Sequence, residues 1–105
     1  MILNHPNIVS VLAHKFMQTR RIYMILMEYC IYGDLTVLYA QDSPKISINH
    51  SRCILRQLAS AVEYMHYKQV VHRDLKLENI LIAGNIADDH QHLNIRVTDF
   101  GLSSL

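Results

Sequence analysis

Cysteine is scarce in this sequence, which contains only Cys30 and Cys53. The two residues do not form a C-x-x-C pair, so their spacing does not favour a disulfide framework or a zinc site. We therefore expect reduced thiols and a location in the cytoplasm, or alternatively in the nucleus.

Long apolar runs and an excess of one charge are also missing. The longest apolar stretch, Ile22–Met27, stops at Glu28, far short of the roughly 18 residues that a membrane span needs. The first residues lack the basic start and apolar run of a signal peptide. Ten basic and nine acidic side chains are spread along the chain, so we expect neither nucleic acid nor a membrane as a partner.

What the sequence does have is apolar content. Half of its 105 residues are hydrophobic, which suits a packed core and argues against disorder. The length corresponds to about one small domain.

Apolar and β-branched runs predict four strands. Residues 8–12 and 22–27, joined by a polar turn at 18–21, predict a hairpin. Residues 80–82 and 94–97 predict two further short strands, and the connection between them, 83–93, is longer than a hairpin loop and is interpreted as a surface insertion.

Two helices are predicted between these strand pairs. Asp34 can cap a short helix that runs to Tyr39. A longer helix, capped by Ser47 or Asn49 and ending near residues 66–68, is predicted by apolar residues at spacings of three and four. These residues form its buried face, and the opposite face is predicted to be polar. The buried set is Ile54, Leu58, Ala61, Val62 and Met65, and the polar set is Arg52, Arg56, Gln57 and Glu63.

Two motifs carry the chemistry. The first is an HRD-x(4)-N run, and the second is a DFG triplet downstream; their residues are His72, Arg73, Asp74 and Asn79, then Asp99, Phe100 and Gly101. Carboxylate and amide oxygens are ligands that Mg²⁺ accepts together with substrate phosphates, which suits Asn79 and Asp99. Asp74 suits a base that takes the proton of a substrate hydroxyl, and Lys76 is placed to pair with a transferring phosphate.

These seven motif positions resemble the catalytic-loop and metal-loop signature of eukaryotic protein kinases. The resemblance covers essentially the whole chain, and Lys76 resembles the serine/threonine branch. It implies an α+β, partial protein-kinase-like fold: the end of the antiparallel small-lobe sheet (1–27), a hinge (28–33) and the first part of the helical large lobe (34–105). The spacing also loosely resembles the calcium/calmodulin-dependent-kinase-like group.

The resemblance further implies ATP and Mg²⁺ as cofactors, and a protein with Ser or Thr hydroxyls as substrate. The backbone groups of Glu28 and Cys30 would bond adenine, and Leu81 would form the apolar floor beneath it. Asp34 would meet the ribose or a basic substrate residue, and Glu78 is a weaker candidate for ribose or peptide contacts. By the same resemblance Met27 would be the gatekeeper, and His72 and Phe100 would stack between the lobes. Arg73 would bind a phosphorylated activation loop.

The sequence also departs from the kinase pattern. It contains no glycine-rich loop, no VAIK-type strand lysine and no partner helix glutamate, and it stops before an APE segment. We therefore expect a fragment whose isolated form is inactive. Two hypotheses stay open: an active serine/threonine kinase as the parent protein, or a catalytically inactive, pseudokinase-like module that binds a partner.

Overall fold

The computed structural model describes residues 3–39, 47–84 and 93–98. Within these ranges the backbone forms two antiparallel strand pairs, two α-helices and a 3-10 helix, which confirms the predicted α+β class. None of these helices combines the length and the apolar character that a membrane crossing requires. In chain order the elements are β1 (Val11–Met17), β2 (Ile22–Met27), α1 (Thr36–Tyr39), α2 (Ile48–Tyr67), the 3-10 helix Leu77–Asn79, β3 (Ile80–Ile82) and β4 (Ile95–Val97).

β1 and β2 form the predicted hairpin, with Met17 opposite Ile22 across the turn. Residues 18–21 make this turn, and Arg21 takes a left-handed φ of 51° there. Apolar residues occupy both faces of the hairpin. Met17 is half-buried, and the other large ones are exposed, from 45% for Ile22 to 64% for Leu12. The described residues therefore leave both faces of this hairpin uncovered.

The predicted bounds of the first strand, residues 8–12, were wrong. β1 begins at Val11 and continues to Met17. Ile8 and Val9 are buried and belong to the other sheet: Ile8 lies opposite Val97 in a parallel bridge, and the Val9 N–H donates to the Val97 carbonyl at 3.0 Å.

α2 begins at a capping box. The Ser47 hydroxyl accepts a hydrogen bond from the His50 N–H at 3.2 Å, and the His50 ring Nδ1 accepts one from the Ser47 N–H at 3.2 Å. His50 thus takes the place that Glu or Gln usually has in this motif, as the acceptor for the N-cap N–H. Of the two predicted caps the structure selects Ser47, and α2 ends at Tyr67, as predicted.

The core lies between α2 and the β3–β4 pair. Ile54, Ala61 and Met65 are buried, and Leu58 and Val62 pack against the core, which confirms the predicted apolar face. Leu58 touches both core clusters. The first cluster is Leu35, Leu38, Ile54, Ile80, Ile82, Leu93 and Ile95; the second is Ile8, Ala61, Met65, Val70 and Val97.

One end of the predicted surface insertion is not at the surface. Leu93 is only 5% exposed and belongs to the first cluster. Next to it, the Ala83 N–H donates to the Asn94 carbonyl at 2.8 Å, so the β3–β4 pairing continues past the strand ends. Residues 85–92 of the insertion lie outside the described residues. The predicted lobe boundaries stay predictions.

Candidate active site

His72 joins the predicted catalytic loop, residues 72–79, to Thr98 at the end of β4. It is buried, and its Nδ1 accepts the Asp74 N–H at 3.1 Å, which places the ring proton on Nε2. Nε2 therefore donates to the Thr98 carbonyl, 2.8 Å away. The residue between the two, Arg73, is exposed and has a φ of 72°, a left-handed conformation that is uncommon outside glycine. The loop is thus turned sharply so that Asp74 follows a fixed histidine.

Asn79 lies against Asp74. Its side-chain nitrogen donates to the Asp74 carbonyl at 2.8 Å and to the Asp74 carboxylate at 3.2 Å. Its own backbone carbonyl accepts the Thr98 N–H at 2.9 Å. Because the amide nitrogen faces Asp74, the amide oxygen is the atom that can bind a cation.

Lys76 completes this group. Its Nζ lies 3.6 Å from Oδ2 of Asp74, the same oxygen that Asn79 contacts. The lysine side chain is 50% exposed, so this ion pair adds little to stability and leaves the ammonium accessible. The structure therefore brings the three predicted catalytic side chains, those of Asp74, Lys76 and Asn79, to one point.

Asp34 and Leu81 are also neighbours, since they form an antiparallel bridge. The backbone comes alongside β3 at Gly33. Its φ of 81° favours glycine, and its carbonyl accepts the Ile82 N–H at 2.8 Å. The Asp34 carboxylate accepts the Thr36 N–H at 2.8 Å, which confirms its predicted capping of α1. This segment thus runs beside β3 and is joined to it by an isolated bridge.

Glu28 is anchored by both its backbone and its side chain. Its N–H donates to the Ser10 carbonyl at 3.0 Å, its Oε1 accepts the Ser10 N–H at 2.9 Å, and the same oxygen lies 3.3 Å from Nε of Arg96. Cys30, two residues on, is buried. Burial raises the pKa of the Cys30 thiol, the Glu28 charge raises it further, and the Arg96 charge opposes both. This thiol therefore stays protonated at neutral pH.

The other predicted site residues are placed less specifically. Glu78 is exposed in the 3-10 helix, beside buried Asn79. Asp99 and Phe100 lie outside the described residues, which end at Thr98 in this part of the chain. The predicted roles of all the site residues stay predictions.

Sequence reasoning placed Gln57 on the polar face of α2, and this was wrong. Gln57 is half-buried, and its amide contacts Asn7, Leu93 and Ile95. A signal was present, because Gln57 lies three residues after Ile54 and four before Ala61, within the apolar stripe. The contact between Arg96 and Glu28 was not predicted either, and no local pattern indicated it.

Comparisons with known proteins agree with this geometry. The family model for the protein kinase domain matches residues 1–105. This chain belongs to the protein kinase family. Serine/threonine-protein kinase 33 of Mus musculus is 44% identical over 103 residues, which cover 96% of this chain and 20% of that protein. NUAK family SNF1-like kinase 2 of Homo sapiens is 43% identical over 103 residues, which cover 98% of this chain and 15% of that protein.

Two solved structures share the kinase fold of this chain. The yeast RNA Pol II CTD kinase CTDK-1 complex matches with a TM-score of 0.74 and 31% identity, over 97% of this chain and 31% of that one. Rad53 1-466 in complex with AMP-PNP matches with a TM-score of 0.79 and 34% identity, over 95% of this chain and 25% of that one. The chain thus spans about a fifth or less of the curated relatives named here, and the predicted serine/threonine kinase family is confirmed.

Proposed function

We propose that the protein containing this chain transfers the γ-phosphoryl group of ATP to serine or threonine hydroxyls of proteins. The observation that carries this proposal is the convergence on Oδ2 of Asp74, which lies 3.2 Å from the Asn79 amide nitrogen and 3.6 Å from the Lys76 ammonium. A base, a cation and a metal-ligating amide are the side chains that phosphoryl transfer asks of a protein.

In this mechanism Asp74 acts on the attacking group. Its carboxylate accepts a hydrogen bond from the substrate hydroxyl and takes the proton as the oxygen bonds to the γ-phosphorus. The bond from that phosphorus to the bridging oxygen breaks, and ADP leaves with the electron pair. Lys76, half-exposed beside Asp74, pairs with the transferring phosphoryl group. The Asn79 contacts hold Asp74 in place during this step.

The donor set fits Mg²⁺, a hard cation that prefers oxygen ligands. Asn79 and Asp99 would hold it, since the Asn79 amide is buried and turned with its nitrogen towards Asp74. When bound, the ion neutralises charge on the phosphates. Asn79 would then serve both as a metal ligand and as the support of Asp74.

The nucleotide end of the site is proposed at the segment after β2. The Glu28 N–H is already bonded to Ser10, so its carbonyl is the backbone group that would accept from adenine, while Cys30 would offer its N–H. Leu81 would lie beneath the base, and the Asp34–Leu81 bridge supports this by placing Asp34 alongside for the ribose. Glu78 is the weaker candidate for ribose or peptide. The match to Rad53, solved with the ATP analogue AMP-PNP, supports a nucleotide here.

A second candidate is a non-catalytic, pseudokinase-like module that binds a partner protein. The observation in its favour is the β1–β2 hairpin, whose apolar side chains are exposed on both faces. The mixed charge, with a net value of +1, supports a protein rather than nucleic acid or a membrane as the partner in either case, and we propose a cytoplasmic or nuclear location.

The deciding experiment is the Asp74→Asn variant of the full-length protein. This change keeps the size of the side chain and removes the base. We expect kcat on a basic serine peptide to fall by about 10²–10⁴-fold, as general-base loss typically does, with little change in KM for ATP. Turnover equal to that of the unaltered protein would refute Asp74 as the base. No phosphorylation by the unaltered protein would favour the binding module.

A further inference from the structure

The edge of β4 that faces away from β3 is bonded partly by the backbone of residues 7–9 and partly by side chains. Alternate residues of a strand direct their backbone groups to opposite edges. The Asn94 carbonyl and the Thr98 N–H bond on the β3 side, to Ala83 and Asn79. The backbone groups of Leu93, Ile95 and Val97 therefore lie on the other edge.

Gln57 of α2 bonds the first part of this edge. Its Oε1 accepts the Ile95 N–H at 3.0 Å, and its Nε2 donates to the Leu93 carbonyl at 2.6 Å. A residue of a parallel strand bonds its neighbour in the same way, with one carbonyl and one N–H on either side of a single residue. The side-chain amide of Gln57 thus stands in for the peptide group of an absent strand.

Asn7 and Val9 bond the rest of the edge. The Asn7 side-chain nitrogen donates to the Ile95 carbonyl at 3.1 Å and to Oε1 of Gln57 at 2.8 Å, and the Asn7 carbonyl accepts the Val97 N–H at 2.8 Å. Nε2 of Gln57 also contacts the Cys53 carbonyl at 3.2 Å. The Gln57 amide therefore uses both acceptor sites and both donors, a full set for an amide, in a half-buried position.

The other end of β4 reaches the catalytic loop. Thr98 donates its N–H to the Asn79 carbonyl at 2.9 Å, and its own carbonyl accepts from His72, which in turn bonds the Asp74 N–H. A displacement of β4 along its length would therefore reach both Asp74 and Asn79 through hydrogen bonds of the described residues.

We propose that Gln57 is a positioning residue for the phosphoryl-transfer site, acting on Asp74 and Asn79 through β4. The proposal rests on the proposed function for what the site does. Gln57 touches no reacting atom. Its role is to hold β4, to whose end the catalytic loop is hydrogen-bonded. Its loss would loosen the metal end of the site, which is hydrogen-bonded to the end of β4, more than the adenine end, where Glu28 contacts β4 through its ion pair with Arg96.

The test is Gln57→Met in the full-length protein, because methionine has nearly the length of glutamine and cannot replace its amide bonds. We expect calorimetric affinity for ADP with Mg²⁺ to fall by about three- to tenfold, less than the 10–100-fold typical of a residue bonded directly to a metal ligand. Affinity for ADP without metal is expected to fall by a smaller factor. The value of kcat is expected to fall by a similar factor, with an unchanged KM for the peptide.

The matched control is Leu58→Ala, on the next residue of α2. Leu58 packs against both core clusters, so its truncation lowers the melting temperature without removing a hydrogen bond of the β4 edge. We expect this control to bind ADP with Mg²⁺ normally. Normal binding and turnover in Gln57→Met, or the same profile as Leu58→Ala, would overturn the proposal.

A second variant covers the case in which Gln57→Met does not fold. Gln57→Glu keeps an acceptor for the Ile95 N–H but turns a carboxylate oxygen towards the Leu93 carbonyl. We expect it to weaken ADP binding with Mg²⁺ as well, and unchanged binding would refute the role.

The binding measurement does not depend on catalytic turnover, so it separates the two proposals. An unaltered protein that binds ADP with Mg²⁺ but phosphorylates nothing would refute the proposed function alone, and one that does not bind it would refute both.

Discussion

The β1–β2 hairpin and the α2–β3–β4 unit use the same residue types with opposite results. Ile22 and Ile25 of the hairpin are 45% and 52% exposed, whereas Ile82 and Ile95 of the other sheet are fully buried. β-Branched residues form strands in both places. The difference lies in what covers them, since α2 packs on the β3–β4 pair and no described residue covers the hairpin.

The polar contacts of the two regions differ in the same way. In the hairpin the Tyr23 hydroxyl and the His14 ring lie 2.8 Å apart at the exposed surface, where water can replace either partner. Against the other unit, Asn7 is only 8% exposed and its side-chain amide donates to the Ile95 carbonyl. Hydrogen bonds at buried positions are costly to lose. The proposed catalytic residues are attached to the unit whose bonds are protected.

The largest effect expected from this comparison is that of Ile95→Ala. Ile95 is fully buried between α2 and β3, so truncation removes apolar burial and leaves a cavity. We expect the free energy of unfolding of the chain to fall by about 2–5 kcal/mol. Chemical denaturation monitored by circular dichroism measures it. The matched control is Ile22→Ala in the hairpin, and equal losses for the two would contradict the division into covered and uncovered regions.

A smaller effect is expected at the start of α2. Ser47→Ala removes the acceptor for the His50 N–H and leaves that donor to water. We expect a loss of about 1 kcal/mol in the free energy of unfolding, as for other N-caps. Ser51→Ala, on the first turn of the same helix, is the control, since its side chain does not cap the helix. A loss no greater than that of the control would show that the capping box contributes nothing.

The sequence predicted the features that local patterns determine. The apolar stripe of α2, its cap at Ser47 and the capping role of Asp34 all follow from spacings of a few residues, and each is present. The HRD-x(4)-N run likewise keeps Asp74 and Asn79 close in the chain, so a single turn of 3-10 helix is enough to bring them together.

The features that were missed depend on distant partners. Ile8 and Val9 have the composition of the hairpin strand, but they pair with Val97, some ninety positions along the chain, and nothing near them in sequence specifies that edge. Gln57 looks like a surface residue in a helical pattern, because glutamine is usually exposed. Its position in the apolar stripe indicates burial, but its hydrogen-bond partners follow only once the open edge of β4 is known.

The smallest effect is expected from Ile25→Thr in the hairpin. Threonine keeps the β-branched shape that suits a strand, and Ile25 is 52% exposed, so little burial is lost. We expect the free energy of unfolding to change by less than about 0.5 kcal/mol, the range usual for surface sites. Ile82→Thr, a fully buried match in β3, is the control and is expected to lose several times more. A loss of about 2 kcal/mol or more for Ile25→Thr would mean that the hairpin face is covered in solution. If a second copy of the chain covered this face, the amount covered would rise with protein concentration. A loss in the free energy of unfolding that grew with protein concentration would therefore identify self-association as the cause.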